Sequence, residues 1–494
     1  MQEYSTVAAV DLGSNSFRLQ VARVVENQFY PLDSLRETVR LAAGLNADKW
    51  LDETAQARAL DCLKRFAERL RGLPQPAVRV VGTSTLRIAK NASAFLEKAE
   101  AVLGFPIEVV AGREEARLIY IGVAHSVPQA SHKQLVVDIG GGSTECIIGV
   151  GVTPHKTESL HMGCVNFSAR FFPDGKIDKS NLKRAELAAR IEVQSIAAEF
   201  GAGQWQEAIG SSGTARALAD IMEQNGYSDA GITPTGLAKL RNEMLRVGDS
   251  AKLDLLGLKA DRKPVLASGF AVMSAIFSEL RIEHMTISNA AMREGILYDL
   301  IGRFHHQDLR ETTVDQFMRR YQLDPLQASR VEALCIALFE HIGGDIQENT
   351  ELSQQHLSWA ARLHEIGISI AHNGYHKHSA YIVANADMPG FSKMDQAHLA
   401  LLLRAQRGSL HKMKTLVEDD RDWLLILCLR LAVLLYRSRT DVALPGITLL
   451  KMESAFRLTL PPDWIALNPL TETALQAEIE EWASVGVKLK LVAE

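Results

Sequence analysis

Two distant segments of this chain repeat one pattern, and the repeat limits the folds that are possible. The first segment is VAAVDLGSNS at residues 7–16, and the second is LVVDIGGGST at residues 135–144. In each segment an apolar run ends in Asp, an apolar residue and Gly, and a Ser follows three positions after the Gly. Asp11 and Asp138 are about one domain length apart. The repeat therefore predicts two similar lobes, each contributing one strand–turn loop to a shared cleft.

Short apolar runs alternate with helical periods on both sides of the first segment. Val78–Val81 and Ile107–Val110 are typical of buried strands, and the apolar residues within Thr54–Leu70 follow the 3.6-residue period of an amphipathic helix. A further helix is predicted over Glu114–Ala124, and the alternation resumes in the second segment and continues to about residue 304. Strands that alternate with helices indicate an α/β layer fold with a mainly parallel sheet.

The character of the sequence changes beyond Arg303. Residues 312–440 are rich in Leu and Ala and carry long helical periods, which predicts an all-helical region. Two β-type runs follow at Ile447–Lys451 and Phe456–Leu460, ahead of one more helical period at Glu472–Ala483. The predicted domains are therefore two α/β lobes, a helical domain and a small α+β tail, at residues 1–125, 126–305, 306–442 and 443–494.

Charge and cysteine content exclude several classes of protein. The 494 residues include 54 Lys and Arg against 59 Asp and Glu, so only a local basic groove can attract a polyanion, and no nucleic acid partner is expected. The five cysteines form no CxxC pair, which indicates a reduced, cytoplasmic protein. The N-terminus lacks a secretory signal pattern, and the most apolar run, Trp423–Tyr436, is too short to span a bilayer. We expect no integral membrane span; peripheral association with the inner membrane is left open.

The two repeated loops have the composition of a phosphate site. Glycine lets main-chain N–H groups approach a ligand, and a nest of such groups beside hydroxyls suits phosphate oxygens. A carboxylate at a strand end is a ligand that Mg²⁺ prefers together with water and phosphate oxygens. The alternative for either loop alone is a tight turn whose Asp caps its own backbone, and two matching copies favour the phosphate site. The segment GSSGT at 210–214 is a weaker third candidate for the same site.

Further motifs make the chain similar to a known family. Four segments accompany the two loops, namely GTSTLR at 82–87, GREEARLI at 112–119, MGCV at 162–165 and MREG at 292–295. Together they resemble the exopolyphosphatase / guanosine pentaphosphate phosphohydrolase (Ppx/GppA) family of the actin, Hsp70 and sugar-kinase superfamily. Within it, GGGSTE at 140–145 and the segment 376–391 are closer to the long bacterial exopolyphosphatases. The resemblance implies two actin-like (ribonuclease H-like) lobes with a cleft, followed by an all-helical HD-like domain and the small α+β tail.

The resemblance also implies a reaction and the residues that perform it. Water hydrolyses the terminal phosphoanhydride of inorganic polyphosphate, with Mg²⁺ as cofactor. Glu115 is implied as the general base, and Asp11, Asp138 and Glu145 as the residues that hold the metal. At position 18 the chain has Arg, where the family often has another polar residue. The candidate substrate-binding residues are Ser14, Asn15, Arg87, Gly140, Gly141, Gly142, Ser143 and Thr144, with Ser211 and Gly213 from the third glycine-rich segment.

Ten of the 15 histidines lie between residues 305 and 411, and all of them except His305 belong to the predicted helical domain. A metal-binding HD-type domain needs an adjacent His-Asp pair and a distant Asp, whereas this chain has His364, Glu365 and Val433 at those places. We therefore predict a structural domain, used to form a homodimer and to complete a substrate channel. The histidines within 372–378 are either channel residues for a long polyanion or surface histidines on a loop. The candidate cations for binding that polyanion are Arg18, Arg87, Lys90, Arg113, Arg117 and Lys377.

Three other functions stay open at this level. A guanosine pentaphosphate (pppGpp) 5′-phosphohydrolase would use the same residues on a nucleotide. An ATP-dependent kinase of the same superfamily would need an adenosine-binding loop, for which only residues 210–214 are a candidate. A nucleotide sensor without turnover would need no water-activating base. From the residues alone, Glu114 and Glu115 both suit the first turn of a helix, and the family match is what selects Glu115.

Overall fold

Each repeated segment forms a strand, a tight turn and an antiparallel return strand in the computed structural model of the protein. The structure describes residues 4–25, 28–127, 131–304, 308–342, 350–417, 419–440, 444, 446–452 and 455–494. The chain divides into two compact units, Met1–Asp308 and Leu309–Glu494.

The first unit contains two five-stranded sheets with the same connectivity, which confirms the two similar lobes. The first sheet has the order β3-β2-β1-β4-β5 and the second the equivalent order β8-β7-β6-β9-β10. The strands of the first sheet are β1 Thr6–Leu12, β2 Phe17–Val25, β3 Gln28–Glu37, β4 Val78–Gly82 and β5 Ile107–Val109. Those of the second are β6 Gln134–Ile139, β7 Thr144–Val150, β8 Thr153–Leu160, β9 Glu207–Ser211 and β10 Thr286–Ile287.

The prediction of a mainly parallel sheet was wrong, because each sheet is mixed. β1, β4 and β5 pair in parallel, whereas β2 pairs antiparallel with β1, and β3 pairs antiparallel with β2. The second sheet repeats this arrangement: β6, β9 and β10 pair in parallel, β7 pairs antiparallel with β6, and β8 pairs antiparallel with β7. The physical reason is that the glycine-rich loops are too short for a crossover helix, so the chain must turn straight back.

Helices cover the sheets of both lobes. The helices of the first unit are α1 Glu53–Leu70, α2 Ser84–Ile88, α3 Ala92–Leu103, α4 Gly112–Ser126, α5 Cys164–Phe171, α6 Lys179–Gln194, α7 Ala197–Phe200, α8 Ser212–Gln224, α9 Pro234–Val247, α10 Lys263–Leu280 and α11 Met292–Phe304. The predicted amphipathic helix is α1. Asp52 caps its N-terminus by accepting a hydrogen bond from the Ala55 amide at 2.6 Å, and the apolar positions of the 3.6-residue period are buried.

The second unit is helical, with a small sheet near its C-terminus. Its elements are α12 Leu309–Arg320, α13 Pro325–Ile342, α14 Thr350–Leu363, α15 Tyr375–Asn385, α16 Lys393–Ala405, α17 Asp420–Leu435, β11 Thr448–Lys451, β12 Phe456–Leu460, α18 Pro462–Leu467, α19 Pro469–Ser484 and β13 Leu489–Ala493. The tail shares one apolar core with the helices, since Leu458 and Trp482 pack in the same cluster as Leu425. A buried ion pair between Arg430 and Glu478 also joins α17 to α19.

The segment predicted as a possible histidine-bearing loop is a helix. His376 and His378 lie on α15, and the described residue His372 lies in the turn before it. Burial, with the nearby charges of Lys377 and Arg407, lowers the pKa of His376 to about 4. This side chain is therefore neutral at pH 7, although the cations around it give the surface positive charge.

The residues at the HD-type positions are engaged with other groups of the second unit. Burial lowers the pKa of His364 to about 4, and its Nδ1 contacts the carbonyl oxygen of Ala361 at 2.6 Å. Glu365 forms an ion pair with Arg439, and Val433 packs against the apolar core. The side chains at these three positions thus serve the packing of the second unit.

Cysteines and apolar helices contribute to the cores. All five cysteines are buried and unpaired. Among the described residues, one helical stretch, Ala260–Leu280, is long and apolar enough to cross a membrane by length and composition. Most of the side chains of α10, which forms this stretch, lie in the core of the second lobe, so α10 is its core helix. The apolar run Trp423–Tyr436 is the buried helix α17, as predicted.

Candidate active site

The two repeated loops meet at an open cavity of about 100 Å³ between the lobes of the first unit. Three glycine-rich segments line it, from the turns after β1, β6 and β9. The predicted residues that line the cavity are Asp11, Ser14, Asn15, Glu115, Asp138, Gly140, Gly141, Gly142, Ser143, Glu145 and Gly213. The carboxyl ends of parallel strands in both sheets therefore converge on one site, as the repeat predicted.

The loops approach each other so closely that a side chain is excluded at one position. A Cβ atom built on Gly141 would lie 3.0 Å from the Ser14 Cβ and 3.2 Å from the Asn15 amide nitrogen. The 140–142 loop is also held from behind, because the Cys164 and Val165 amides donate hydrogen bonds to the carbonyl oxygens of Gly140 and Gly141. This contact gives the MGCV motif a role, which is to fix the loop of the second lobe.

Four carboxylates face the cavity from four different elements. Asp11 ends β1, Asp138 ends β6, Glu145 begins β7 and Glu115 lies in the first turn of α4. Asp138 and Glu145 are direct cross-strand partners, and like charges in such a pair destabilise a sheet. At the equivalent place in the first lobe, Asp11 is paired with Arg18. The site therefore has an acidic side in the second lobe and a charge-balanced side in the first.

The surroundings of these carboxylates raise their pKa values. Burial is the main cause for Glu115, and the Arg87 guanidinium opposes it in part. Burial also raises the pKa of Asp138, which the neighbouring Ser212 and Ser211 side chains oppose in part. Burial and the charges of Glu115 and Asp138 raise the pKa of Glu145 well above its ordinary value. The pKa of Asp11 is raised to about 7 by loss of solvent, against the opposing charge of Arg18. A carboxylate with a raised pKa is suited to accept a proton from water near neutral pH.

Glu115 is held in place by one arginine. The Arg87 Nη1 donates a hydrogen bond to Glu115 Oε2 at 2.9 Å and another to the Val110 carbonyl oxygen at 2.8 Å. Arg87 lies on α2, directly after β4, so the first lobe supplies this contact. Glu114 is turned away from the cavity, where Arg117 binds its carboxylate in a bidentate pair at 2.7 and 2.8 Å. The structure therefore distinguishes two acids that the sequence leaves equivalent.

Three predicted substrate-binding residues do not line the cavity. Arg87 is engaged with Glu115, as described, rather than open to a phosphate. The Thr144 hydroxyl is buried and donates to the Met162 carbonyl oxygen at 2.5 Å. The Ser211 hydroxyl is buried and donates to the Ala290 carbonyl oxygen at 3.1 Å. In each case the polar group is hydrogen-bonded to another group of the protein, and these residues support the loops.

The predicted basic groove is also corrected. Arg117 is buried in contact with Glu114 and Asp299, and Arg113 forms an ion pair with Glu158 at 2.7 Å. Lys90 is exposed and, like Arg113, lies outside the residues that line the cavity. Of the candidates in the first unit, only Arg18 lines the cavity.

Four arginines from both lobes are grouped beside the site instead. This arginine cluster consists of Arg18, Arg36, Arg216 and Arg262. Arg18 and Arg36 are cross-strand partners on β2 and β3, and Arg18 and Arg262 line the cavity. Burial and the neighbouring arginines lower the pKa values of Arg36 and Arg216. Like charges collected at a cavity favour binding of an anion, which would relieve their repulsion.

Sequence reasoning missed Ser212 and three members of the arginine cluster. Ser212 has a φ of 66°, in the left-handed region, and its hydroxyl donates to the Ile139 carbonyl oxygen at 3.2 Å. A non-glycine residue in this conformation is typical of functional sites. Ser212 belongs to the GSSGT segment that the sequence singled out, but its left-handed backbone conformation could not be predicted from that segment. The three missed arginines, at positions 36, 216 and 262, come from segments without a motif, and only the fold brings them together.

The cavity residues fit a hard divalent cation bound with phosphate. Among the described residues, no group of three or more His, Cys, Asp or Glu side chains is arranged as a set of metal ligands. Mg²⁺, however, is commonly bound by one or two carboxylates with water and substrate oxygens. Asp138 and Glu145 supply buried carboxylate oxygens whose mutual repulsion a cation would relieve. The donor set therefore suits Mg²⁺ that arrives together with a phosphate chain.

Comparison with known proteins identifies the family. The sequence matches the model of the Ppx/GppA phosphatase family over residues 20–304, which is more than half of the chain. The chain belongs to the Ppx/GppA phosphatase family. Its second unit also matches the model of Ppx/GppA phosphatase domain III, over residues 309–479. The family resemblance of the motifs is thereby confirmed: the chain is a phosphatase of this family, and its first unit has two lobes of equivalent strand order.

Solved structures of similar proteins share the fold of a large part of this chain. An exopolyphosphatase from Cytophaga hutchinsonii ATCC 33406 is 23% identical, with a TM-score of 0.55 over 60% of this chain and 98% of that one. A Ppx/GppA family member from Aquifex aeolicus is 24% identical, with a TM-score of 0.52 over 61% and 99% of the two chains. An exopolyphosphatase-like protein is 24% identical, with a TM-score of 0.57 over 62% of this chain and 100% of that one. These three structures match about three fifths of this Ppx/GppA chain and nearly the whole of their own chains.

Proposed function

We propose that this phosphatase is an exopolyphosphatase, which removes the terminal phosphate of inorganic polyphosphate by hydrolysis. The observation that supports it best is the pairing of a buried general base with two opposed phosphate loops and an arginine cluster on one cavity. The solved exopolyphosphatase of similar fold is consistent with this substrate class. We further propose that the protein acts in the cytoplasm as a homodimer.

Glu115 performs the proton transfer in this proposal. Its carboxylate faces the cavity, accepts a proton from the attacking water and directs that water toward the terminal phosphorus. Arg87 orients the carboxylate by donating to Oε2, and so leaves Oε1 for the water. The raised pKa of Glu115 increases its strength as a base, because a carboxylate of ordinary pKa would bind a proton too weakly near neutral pH.

The loops and the arginine cluster bind and orient the chain of phosphates. Ser14, Asn15 and Ser143 line the cavity with hydroxyl and amide donors, beside the backbone of the 140–142 loop. Arg18 and Arg262 supply guanidinium groups, which match phosphate oxygens in charge and geometry. Because phosphoryl transfer depends mainly on alignment and charge stabilisation, these contacts carry most of the catalysis. Mg²⁺, held by Asp138 and Glu145 with Asp11 opposite, would neutralise phosphate charge.

Release of orthophosphate from three substrates in parallel tests the proposal. Long-chain polyphosphate, pppGpp and ATP are each incubated with the protein, with Mg²⁺ and with EDTA. We expect Mg²⁺-dependent release that is most efficient, by kcat/KM, on long-chain polyphosphate. Efficient release from pppGpp with little from polyphosphate would overturn the proposal in favour of a pppGpp 5′-phosphohydrolase. Release from none of the three would overturn both.

A further inference from the structure

Behind the active site, six charged side chains form a buried ion-pair network at the joint between the two lobes. The network consists of Arg79, Glu108, Glu114, Arg117, Asp299 and Arg303. Asp299 lies at its centre: its Oδ1 accepts from Arg117 Nη2 at 2.5 Å, and its Oδ2 accepts from Arg79 Nη1 at 2.5 Å and from Arg303 Nε at 3.2 Å. Arg79 also donates to Glu108 at 3.0 and 3.1 Å, and Arg117 to Glu114.

The charges of these six residues balance, and the centre of the network is deeply buried. It holds three guanidiniums and three carboxylates, and the side chain of Arg79 is 1% exposed. Burial alone would raise the pKa of Asp299, but the charges of Arg117, Arg79 and Arg303 hold it well below its ordinary value. Buried ion pairs are often no more stabilising than apolar residues of similar volume. Stability alone therefore does not account for a network of this size, and its position in the fold is informative.

The two helices of the network connect the lobes crosswise. Helix α4 follows the last strand of the first sheet but packs on β7 and β8 of the second, whereas α11 follows β10 but packs on β1 and β4 of the first. The helices touch at their backbones. A Cβ atom on Gly295 would lie 1.8 Å from the Leu118 carbonyl oxygen, and one on Gly122 would lie 2.1 Å from that of Ala291. The MREG motif, which contains Gly295, thus belongs to the joint between the lobes.

Two segments, β4–α2 and the first turn of α4, each contact both the network and the active site. The β4–α2 segment begins near Arg79, which binds Asp299, and ends near Arg87, which binds Glu115. The first turn of α4 carries Glu115 toward the cavity and Glu114 toward Arg117. The position of Glu115 relative to the first lobe is therefore fixed at two places, directly by Arg87 and indirectly through Arg117, Asp299 and Arg79.

We propose that the ion-pair network sets the position of Glu115 across the joint of the two lobes, with Asp299 and Arg117 as positioning residues for the hydrolysis. The proposal rests on the proposed function for its kinetic consequence only. Cutting the link between Asp299 and α4 leaves the loops and the base intact but allows α4 to shift with the second lobe. Since a displacement of about 1 Å can cost 10²-fold in rate, kcat falls while substrate binding is retained.

The decisive variant removes one complete ion pair, so that no buried charge is left alone. In Glu114→Gln/Arg117→Met the remaining four charges, on Arg79, Glu108, Asp299 and Arg303, still balance. We expect a melting temperature near that of the wild type, a kcat lower by about 10- to 100-fold and a KM changed by less than about 3-fold. The matched control is Arg430→Met/Glu478→Gln, which removes a buried bidentate pair from the second unit and is expected to leave kcat unchanged.

Single substitutions of Asp299 separate charge from position. Asp299→Glu retains the charge and should recover most of the activity, whereas Asp299→Asn leaves three guanidiniums against two carboxylates and should lower both kcat and the melting temperature. A folded Glu114→Gln/Arg117→Met variant with wild-type kcat would overturn the proposal. So would a loss of activity that follows the melting temperature in every variant, because that result indicates a merely structural network.

Hydrogen exchange tests the same proposal without turnover. We expect faster exchange of the amides at 115–118 in Glu114→Gln/Arg117→Met, with the exchange of α6 unchanged, because α4 alone loses its link to Asp299. Unchanged exchange at 115–118 would contradict the proposal. If the wild type releases no phosphate from any substrate, the proposed function fails, while the exchange result still decides whether the network holds α4.

Discussion

Adjacent residues Glu114 and Glu115 lie in the same turn of α4 but face different surroundings. Successive side chains on a helix point about 100° apart, so one carboxylate faces the cavity and the other faces Arg117. Each is held by a different arginine, and Glu115 has its pKa raised by burial. The Arg117 guanidinium occupies both carboxylate oxygens of Glu114. These surroundings favour Glu115 over Glu114 for the role of base that we propose.

At the level of single residues, the Mg²⁺ concentration that the activity requires should depend on the carboxylates that line the cavity. We predict that Asp138→Asn and Asp11→Asn each raise the Mg²⁺ concentration needed for half-maximal activity, because each removes charge that attracts the cation. His364→Ala, in the second unit, should leave that concentration unchanged. Phosphate release measured against Mg²⁺ concentration checks the three variants. An ion that His364 binds tightly and that turnover requires would contradict the prediction.

The raised pKa of Asp11 gives a second test at this scale. With a pKa of about 7 in the folded protein against an ordinary 3.8, Asp11 holds a proton that the unfolded chain releases. Its contribution to stability is therefore complete below pH 4 and is lost as the pH rises toward and through 7. We predict that Asp11→Asn, without substrate or divalent cation, becomes progressively more stable relative to the wild type between pH 5 and pH 8.

The measurement is the melting temperature of both proteins in EDTA across that range. Comparing variant with wild type cancels the contribution of acids such as Asp299, whose lowered pKa acts in the opposite direction. A difference in melting temperature that stays constant from pH 5 to pH 8 would show that Asp11 is ionised throughout. Added Mg²⁺ should reduce the difference, because a bound cation favours the ionised carboxylate.

At the level of helices and strands, local patterns in the sequence predicted most elements but not how they pair. The apolar period of Thr54–Leu70 and the run at Val78–Val81 became α1 and β4 almost residue for residue. The antiparallel strand β3 was not predicted, because its exposed, alternating residues carry little apolar signal. The loops that form the candidate site could be predicted because the glycine and hydroxyl residues of each loop are consecutive in the sequence.

The remainder of the site depends on long-range packing, which no local pattern records. Arg36 and Arg216 join Arg18 and Arg262 only because the fold brings β3 and α8 together with them, and neither Arg36 nor Arg216 stands in a motif. Conversely, Thr144 stands inside a phosphate motif but donates its hydroxyl to the Met162 carbonyl oxygen. A motif specifies the residue type at a position, whereas the fold determines which group that residue's side chain contacts.

The α4–α11 crossing provides a prediction at the scale of elements. Gly295→Ala places a methyl group against the Leu118 backbone, which cannot move away as a flexible side chain could. We predict destabilisation by about 2 kcal/mol or more, even though Ala is otherwise favoured over Gly in a helix. Urea unfolding at equilibrium checks it. The control is Gly446→Ala, where the new Cβ meets nothing within 4 Å, and an equal effect of both substitutions would contradict the prediction.

At the scale of the whole molecule, each unit has its own apolar core. The clusters of the first unit and the cluster of the second share no residue among those described. We predict that deleting the chain beyond residue 306 leaves a folded protein that hydrolyses short substrates slowly. The preference for long polyphosphate should be lost, because the basic residues of the second unit, including Lys377, are then absent.

The measurement is KM against chain length for the full-length and truncated proteins. Binding of long chains to the full-length protein should also weaken steeply with salt, as expected for several cations on a polyanion, despite the net charge of −5. A flat dependence on chain length in the full-length protein would contradict the role given to the second unit. An insoluble truncated protein would contradict the independence of the two cores.

The central claim is that water, activated by Glu115, attacks the terminal phosphorus of a phosphate chain. Hydrolysis of long-chain polyphosphate in ¹⁸O-labelled water by the wild type and by Glu115→Gln tests it most directly. We predict one solvent oxygen in each released orthophosphate, and a kcat for Glu115→Gln lower by roughly 10²–10⁴ with little change in melting temperature. The control Glu158→Gln, at an exposed ion pair outside the cavity, should retain the wild-type rate. Released phosphate without the label, or a wild-type rate in Glu115→Gln, would contradict the account.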